Sequence, residues 1–389
     1  MDFYKKALSL KEETVSHRRY LHQNAEAGLD MPIATAYITQ ELKKIGLSPT
    51  VCGKGITATI GRGERTILLR ADMDALPSEE QSGLDFSSKT SCAHTCGHDM
   101  HTAMLLTAAK MLKECEPKLN GKVKLMFQPA EENLLGCQNM IDNGVLDNPK
   151  VSAALALHVT SGRLPIGHFM YNSQGVMMNS ADVFKIEVTG RGGHGAYPNL
   201  TVDPVNIAMH IYSALQSLIS READPEKSCT LTIGRISAGE TANVIPNSAV
   251  LEGSLRTNDQ AERDRLYDRI SQIAARVSNA FGGSAKLILS SSVPPLICDT
   301  DFTNKVVSLV QELSAPDITP ISSIHASASE DFALIAAKVP SAYVYLSAGF
   351  NDERGDHLAH NPKVRFNEDV LPLGSALLSH VAFRLLEDF

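Results

Sequence analysis

A chain of 389 residues, 43% hydrophobic and 21% charged, has an ordinary globular composition and is long enough to bury a core without disulfide staples. Its net charge of −8, with no long run of Lys or Arg, sets nucleic acid aside as a partner. Seven cysteines, an odd and scattered set, speak against a disulfide framework and for a reducing compartment, so the expected location is the cytoplasm.

In chain order, hydrophobic periodicity predicts a helix over residues 2–22, whose mixed charges lack the apolar core of a secretory leader, and a second over 32–45. Short β-branched runs over 57–60 and 66–70 follow, then a helix over 101–115 and strands over 122–127 and 151–157. The pattern then changes. Residues 183–189, 203–219, 230–237, 248–256, 259–281 and 285–291 read as strand, helix, strand, strand, helix, strand, the order of a split βαβ unit. A strand over 342–347 and a last helix over 367–387 return to the first pattern. The expected fold class is α/β: residues 1–180 and 292–389 form a mostly parallel sheet covered by helices, and a ferredoxin-like α+β domain is inserted at 181–291. No stretch approaches the roughly 18 apolar residues that span a bilayer, and no membrane partner is expected.

Ligands of open parallel sheets sit beyond the carboxyl ends of the strands, and four of the five predicted strands outside the insert run into residues that bind metals or move protons. Residues 66–70 lead into Asp72 and Asp74, 122–127 into Glu131 and Glu132, 151–157 into His158, and 342–347, after a glycine-containing loop, into His357 and His360. A further cluster, CAHTCGHDMH over 92–101, opens the helix predicted from residue 101. Singly each is weak, because a histidine at a strand end is more often a hydrogen-bonded structural residue and adjacent glutamates are usually solvated. Cys96 and His98, two residues apart on a glycine-containing loop, can both reach one ion. Together Cys96, His98, Glu132, His158 and His360 exceed the ligands that one catalytic zinc uses, which fits two cations sharing a water. Glu131 is then the natural general base. Asp74 and Asp99 are candidates for orienting ligand imidazoles, with a favourable charge at a helix N-terminus as the alternative for Asp99. A thiolate donor disfavours magnesium and calcium and leaves zinc, manganese, cobalt or nickel.

The strings LLRADMDALP, CGHDMHTA, FQPAEE, GRGGHGAYP, NVIPNSA, SEDF and HNPKVRF, in this order over nearly the whole chain, resemble the aminoacylase-like amidohydrolases, the dinuclear metallopeptidase group of hippurate hydrolase, indole-acetyl-amino-acid hydrolase and N-acyl-amino-acid deacylase. The resemblance implies a zinc-exopeptidase-type catalytic domain, a ferredoxin-like lid, and two divalent metal ions per subunit held by the five residues named above, with the Cys96 thiolate bridging and Glu131 as base. It also implies that His194 of the lid reaches the scissile carbonyl, that Asn243 and Arg256 hold the polar end of a small N-acyl amino acid substrate, and that the protein is a homodimer. By itself His194 also reads as a water-exposed turn residue, although the surrounding Gly192, Gly193 and Gly195 leave the backbone open to close approach. Arg256 reads equally as a strand-surface charge. A dipeptidase or carboxypeptidase of the same group differs only in what the acyl side carries, and a silent metal-binding protein needs neither Glu131 nor His194. Two departures stand out. Met100 occupies a position where this group commonly has glycine, and Asn133, Leu134 and Leu135 follow Glu132 where glycine-rich segments are frequent; both are expected to add bulk beside the metals.

Overall fold

The computed structural model describes residues 1–315 and 318–387, which divide into two compact units. The first comprises Met1–Met177, Ile297–His325 and the chain from Asp331, and the second comprises Met178–Leu296 and Ala326–Glu330. The main cuts fall a few residues outside 181 and 291. The return of Ala326–Glu330 to the second unit was not expected from the sequence; this segment is held there by the Asn179 N–H, which donates to the Ala328 carbonyl at 2.9 Å.

The first unit opens with α1 (Phe3–Ser9) and α2 (Lys11–Gln23), so the predicted helix over 2–22 is broken at Leu10. There follow α3 (Pro32–Lys44), β1 (Thr50–Cys52), β2 (Gly55–Arg62), β3 (Thr66–Asp72), α4 (His98–Glu114), β4 (Gly121–Gln128), α5 (Gly136–Asp142), β5 (Ala153–Pro165), β6 (His168–Tyr171) and the short β7 (Val176–Met178). The middle of the chain adds β8 (Ala181–Thr189), β9 (Gly193–His194), α6 (Pro204–Arg221), β10 (Cys229–Ala238), β11 (Val244–Ile245), β12 (Ser248–Thr257), α7 (Gln260–Ala280) and β13 (Ser284–Val293). The last part carries β14 (Leu296–Ile297), α8 (Thr300–Gln311), β15 (Thr319–Ile321), α9 (Ala333–Ala336), β16 (Ser341–Gly349) and α10 (Leu371–Glu387).

In the first unit the sheet order is β1-β2-β4-β3-β5-β16-β6-β15. The central strands β4, β3, β5 and β16 are parallel, while β1, β2 and β6 each join antiparallel. The centre reads as continuous apolar runs because it is covered on both faces: every residue of β3 is buried. Helix α4 is buried along nearly its whole length, as is α10. The segment Glu368–Glu387 is in fact long and apolar enough to cross a bilayer by composition, but 83% of its most apolar window is buried inside the fold. A helix that is apolar all round and enclosed by protein is a core helix.

The second unit has a four-stranded antiparallel sheet, β10-β12-β8-β13, with α6 and α7 against it. Alternate residues Phe184, Ile186 and Val188 of β8 point into a core shared with Ile207, Ile211 and Leu215 of α6 and Leu266 and Ile270 of α7. Each helix starts where the sequence carries a cap. Asp203 accepts from the Val205 N–H at 2.8 Å, and Asp259 accepts from the Glu262 N–H at 2.8 Å.

Candidate metal centre

The parallel register brings the chemistry-bearing segments of the first unit level. Asp72 pairs with Gln128, Arg70 with Ala156, and Tyr345 with His158. His158 therefore lies within a strand that continues to Pro165, not after the strand's end as the sequence suggested. After β4 the chain turns sharply: Ala130 has φ 52°, its carbonyl accepts from the Leu135 and Gly136 N–H groups, both at 3.1 Å, and Glu131 follows, buried. Only glycine fits at 136, since a Cβ there would lie 1.6 Å from the Pro129 carbonyl oxygen. Leu134 (φ 57°) and His360 (φ 70°) are also left-handed, at about 1–3 kcal/mol of strain each, and such strain collects at functional sites.

These turns bring the five expected ligands together. The donor atoms of Cys96, Glu132 and His360 lie within 4.8 Å of one another, and so do those of His98, Glu131 and Glu132. His360 Nε2 is 3.4 Å from Glu132 Oε1, His98 Nε2 is 3.9 Å from the same oxygen, and Cys96 Sγ is 3.5 Å from His158 Nε2. Two ligand atoms about 2.1 Å from one tetrahedral ion are separated by about 3.4 Å, so these spacings suit atoms that share a cation. The unpaired atoms point the same way. Both nitrogens of His98, Glu132 Oε1 and Asp74 Oδ1 are buried without a hydrogen-bond partner, a condition that costs about 1–3 kcal/mol per group unless something else satisfies it. The residues fit a metal.

The electrostatics follow from crowding. Burial alone would raise Asp72, yet Arg70, His98 and His101 hold its carboxyl well below the usual range. Burial would lower His98, but Asp72 and Cys96 carry it well above. Burial, reinforced by the neighbouring His101, keeps His158 well below its usual value, so its ring is neutral and able to ligate. Burial pushes the Cys96 thiol up to about 12, a value that a bound cation would reverse. Asp74, raised by burial, lies 3.4 Å from His98 Nδ1 and accepts from the Glu132 N–H at 3.1 Å.

Other expectations are corrected. Asp99 steadies no ligand imidazole: its Oδ2 accepts from Arg18 Nε at 2.9 Å and from His22 Nδ1 at 2.8 Å. His22 in turn donates to Glu80 at 3.1 Å. The helix that begins three residues earlier than predicted accounts for this, since His98 and Asp99 are adjacent helical residues and face different neighbours. Met100 is fully buried in the hydrophobic core and adds no bulk to a pocket, while Leu135 is exposed and Leu134 half-buried. Asp72 also meets the imidazoles, with Oδ1 at 2.5 Å from His101 Nδ1 and Oδ2 at 3.5 Å from His98 Nε2. The sequence places Asp72 at a strand end but does not show which ring it meets. With it come His101 and Arg70, both missed. The signal for His101 was its spacing of three from His98, which puts both rings on one helical face.

In the second unit His194 is exposed on the β9/β11 ribbon, paired with Val244, and its Nδ1 accepts from the Ala196 N–H at 3.1 Å. That leaves the proton on Nε2, free to donate. Exposed Asn243 belongs to the same ribbon, its carbonyl accepting from the Gly195 N–H at 2.9 Å. Arg256 does not join them. It lies near the far end of β12, roughly 25 Å from Ser248 at about 3.3 Å per residue, with its guanidinium donating to Ser329 Oγ at 2.5 Å. Asn243 and Arg256, expected to hold one end of a substrate, thus lie on different parts of the second unit, the first on the β9/β11 ribbon and the second near the far end of β12.

An α/β sheet with thiolate, imidazole and carboxylate side chains gathered at one end of its parallel strands is the arrangement of a metal-dependent hydrolase. The chain belongs to peptidase family M20/M25/M40, whose model matches residues 68–384. It is 36% identical over 384 residues to an N-acetyl-L-cysteine deacetylase of Bacillus subtilis, covering 97% of this chain and 89% of that one. It is 35% identical over 385 residues to an IAA-amino acid hydrolase of Arabidopsis thaliana, with 96% and 85% covered. Among solved structures it resembles a Bacillus subtilis dinuclear metal binding peptidase of the M20 family, at a TM-score of 0.79 and 29% identity, covering 98% and 99% of the two chains.

Proposed function

We propose that the protein hydrolyses the amide bond of N-acyl amino acids, releasing a carboxylic acid and a free amino acid. The observation that carries this reading is the gathering of Cys96, His98, Glu132 and His360, with Glu131, at one end of the first unit's sheet. Two divalent cations, zinc, manganese, cobalt or nickel, would supply Lewis acidity and an acidified water when bound by Cys96, His98, Glu132, His158 and His360. Glu131 takes the proton of the attacking water and hands it to the leaving amine. His194, with its free Nε2–H, donates to the oxyanion, an effect worth about 3–4 kcal/mol. Arg256 pairs with the α-carboxylate, whose geometry favours a guanidinium. Because His194 lies on the β9/β11 ribbon and Arg256 near the far end of β12, the reading includes a homodimer, in which the two residues need not serve the same centre. The protein works in the cytoplasm, where its cysteines stay reduced.

A liberated-amine assay on N-acetyl and N-benzoyl amino acids and on dipeptides, with metal-loaded and chelator-treated protein, tests the reading. Metal-dependent turnover of the N-acyl compounds is expected. Turnover of dipeptides alone favours a peptidase, and turnover of neither class removes the enzymatic reading.

A further inference from the structure

We propose that His101 is a positioning residue for the metal centre: its neutral ring clamps the backbone of Val159 and so holds His158 with Nε2 presented beside Cys96. The inference rests on the reading of His158 as a ligand and extends it to a residue outside the ligand set.

Strand β3 pairs with β5 only as far as Arg70 against Ala156, whereas β16 continues along the other side to Ser347 against Thr160. Beyond Ala156, among the described residues, no strand pairs with the side of β5 that β3 has left. Side chains take them instead. The Val159 N–H donates to His101 Nε2 at 2.8 Å, and the Val159 carbonyl accepts from His158 Nδ1 at 2.6 Å. A backbone N–H can donate only to an unprotonated ring nitrogen, so the proton of His101 sits on Nδ1, where Asp72 Oδ1 accepts it at 2.5 Å. The other oxygen of Asp72 is taken by Arg70, which donates at 2.7 Å.

Asp72 therefore accepts from Arg70 on one oxygen and from His101 on the other, His101 accepts from Val159, and each ring has one tautomer compatible with its neighbours. With its proton committed at Nδ1, His158 carries a lone pair at Nε2, 3.5 Å from Cys96 Sγ. Reversing the ring would leave the Val159 carbonyl without its donor and turn an N–H toward the cation position. His101 also touches the ring directly, edge to face, with centroids 4.4 Å apart. A hydrogen-bonded outer partner of this kind sets both the orientation and the basicity of a ligand.

The test compares wild type, His101→Phe and His101→Gln by chelator-competition metal affinity and by the visible spectrum of the cobalt(II)-loaded forms. Phe keeps the ring but offers neither donor nor acceptor, so affinity should fall about 10–100-fold and the cobalt bands should shift. Gln supplies one acceptor and one donor and should restore both to near the wild-type values. Unchanged affinity and spectrum in His101→Phe, or a Gln variant no better than Phe, overturns the proposal. If the Phe variant fails to fold, long-range 1H–15N correlation on the metal-free wild-type protein decides: His101 and His158 both protonated at Nδ1 supports the clamp, and His101 protonated at Nε2 overturns it. His158→Ala separates the two readings. If that variant binds cobalt as wild type does, His158 is no ligand and the centre itself is misread; if it loses metal while His101→Phe does not, only the clamp fails.

Discussion

The strand-end cluster of the first unit and the β9/β11 ribbon of the second are built on opposite principles. Around Asp72, His98 and His158 the side chains, exposed His360 apart, are buried or half-buried, and Asp72 meets both His98 and His101 while His158 is held by the Val159 carbonyl. On the ribbon, His194 and Asn243 are exposed, and the fixed feature of His194 is a backbone N–H that sets its tautomer. A buried cluster prepares charge and ligand geometry in advance, so damage to its ligands should register as lost metal or lost stability. An exposed ribbon contributes single groups, so damage there should register in turnover alone.

That contrast can be broken at graded sites. Cys96→Ala should have the largest effect, abolishing stoichiometric metal binding by elemental analysis; a variant with full metal content would remove the thiolate from the ligand set. Glu131→Gln should keep its metal yet lose kcat by about 10²–10⁴-fold, and wild-type turnover would reassign the base. His194→Ala should lower kcat by about 10²–10³-fold with metal content and thermal midpoint unchanged. Should it lose metal instead, the distinction between ribbon and cluster disappears. Arg256→Ala should raise KM roughly 10–100-fold for substrates with a free carboxylate and leave their methyl esters unaffected, so an equal effect on both would take Arg256 out of substrate binding.

The smallest effect concerns pH. Burial would raise Glu80, but hydrogen bonds from His22, Ser82 and the Ser88 N–H bring its carboxyl down to about 2. A carboxyl held lower in the folded than in the unfolded chain stabilises fully above its unfolded value, and the contribution disappears as pH falls toward the folded one. Thermal midpoints should thus fall between pH 4.5 and about 2, and Glu80→Gln should flatten that part of the profile. An unchanged slope would show that the His22–Glu80 pair contributes nothing to acid stability.

Much of this molecule is legible without coordinates. Helices begin within a residue of 203 and 259 as predicted, the strand–helix order of the insert recurs with the short β9 and β11 added, and Glu131 and Glu132 sit just past the end of β4. These features are local: they depend on neighbours within a few residues, which a sequence displays directly. The rest depends on register between segments far apart in the chain. Arg70 stops opposite Ala156, so Val159 must find an imidazole; β12 carries Arg256 away from the ribbon of Asn243; Ala326–Glu330 returns to the second unit through contacts with Asn179, Ser180 and Arg256. Which carboxylate meets which ring, and which nitrogen keeps its proton, was decided by tertiary packing, because burial leaves each polar group only the partners that the fold delivers.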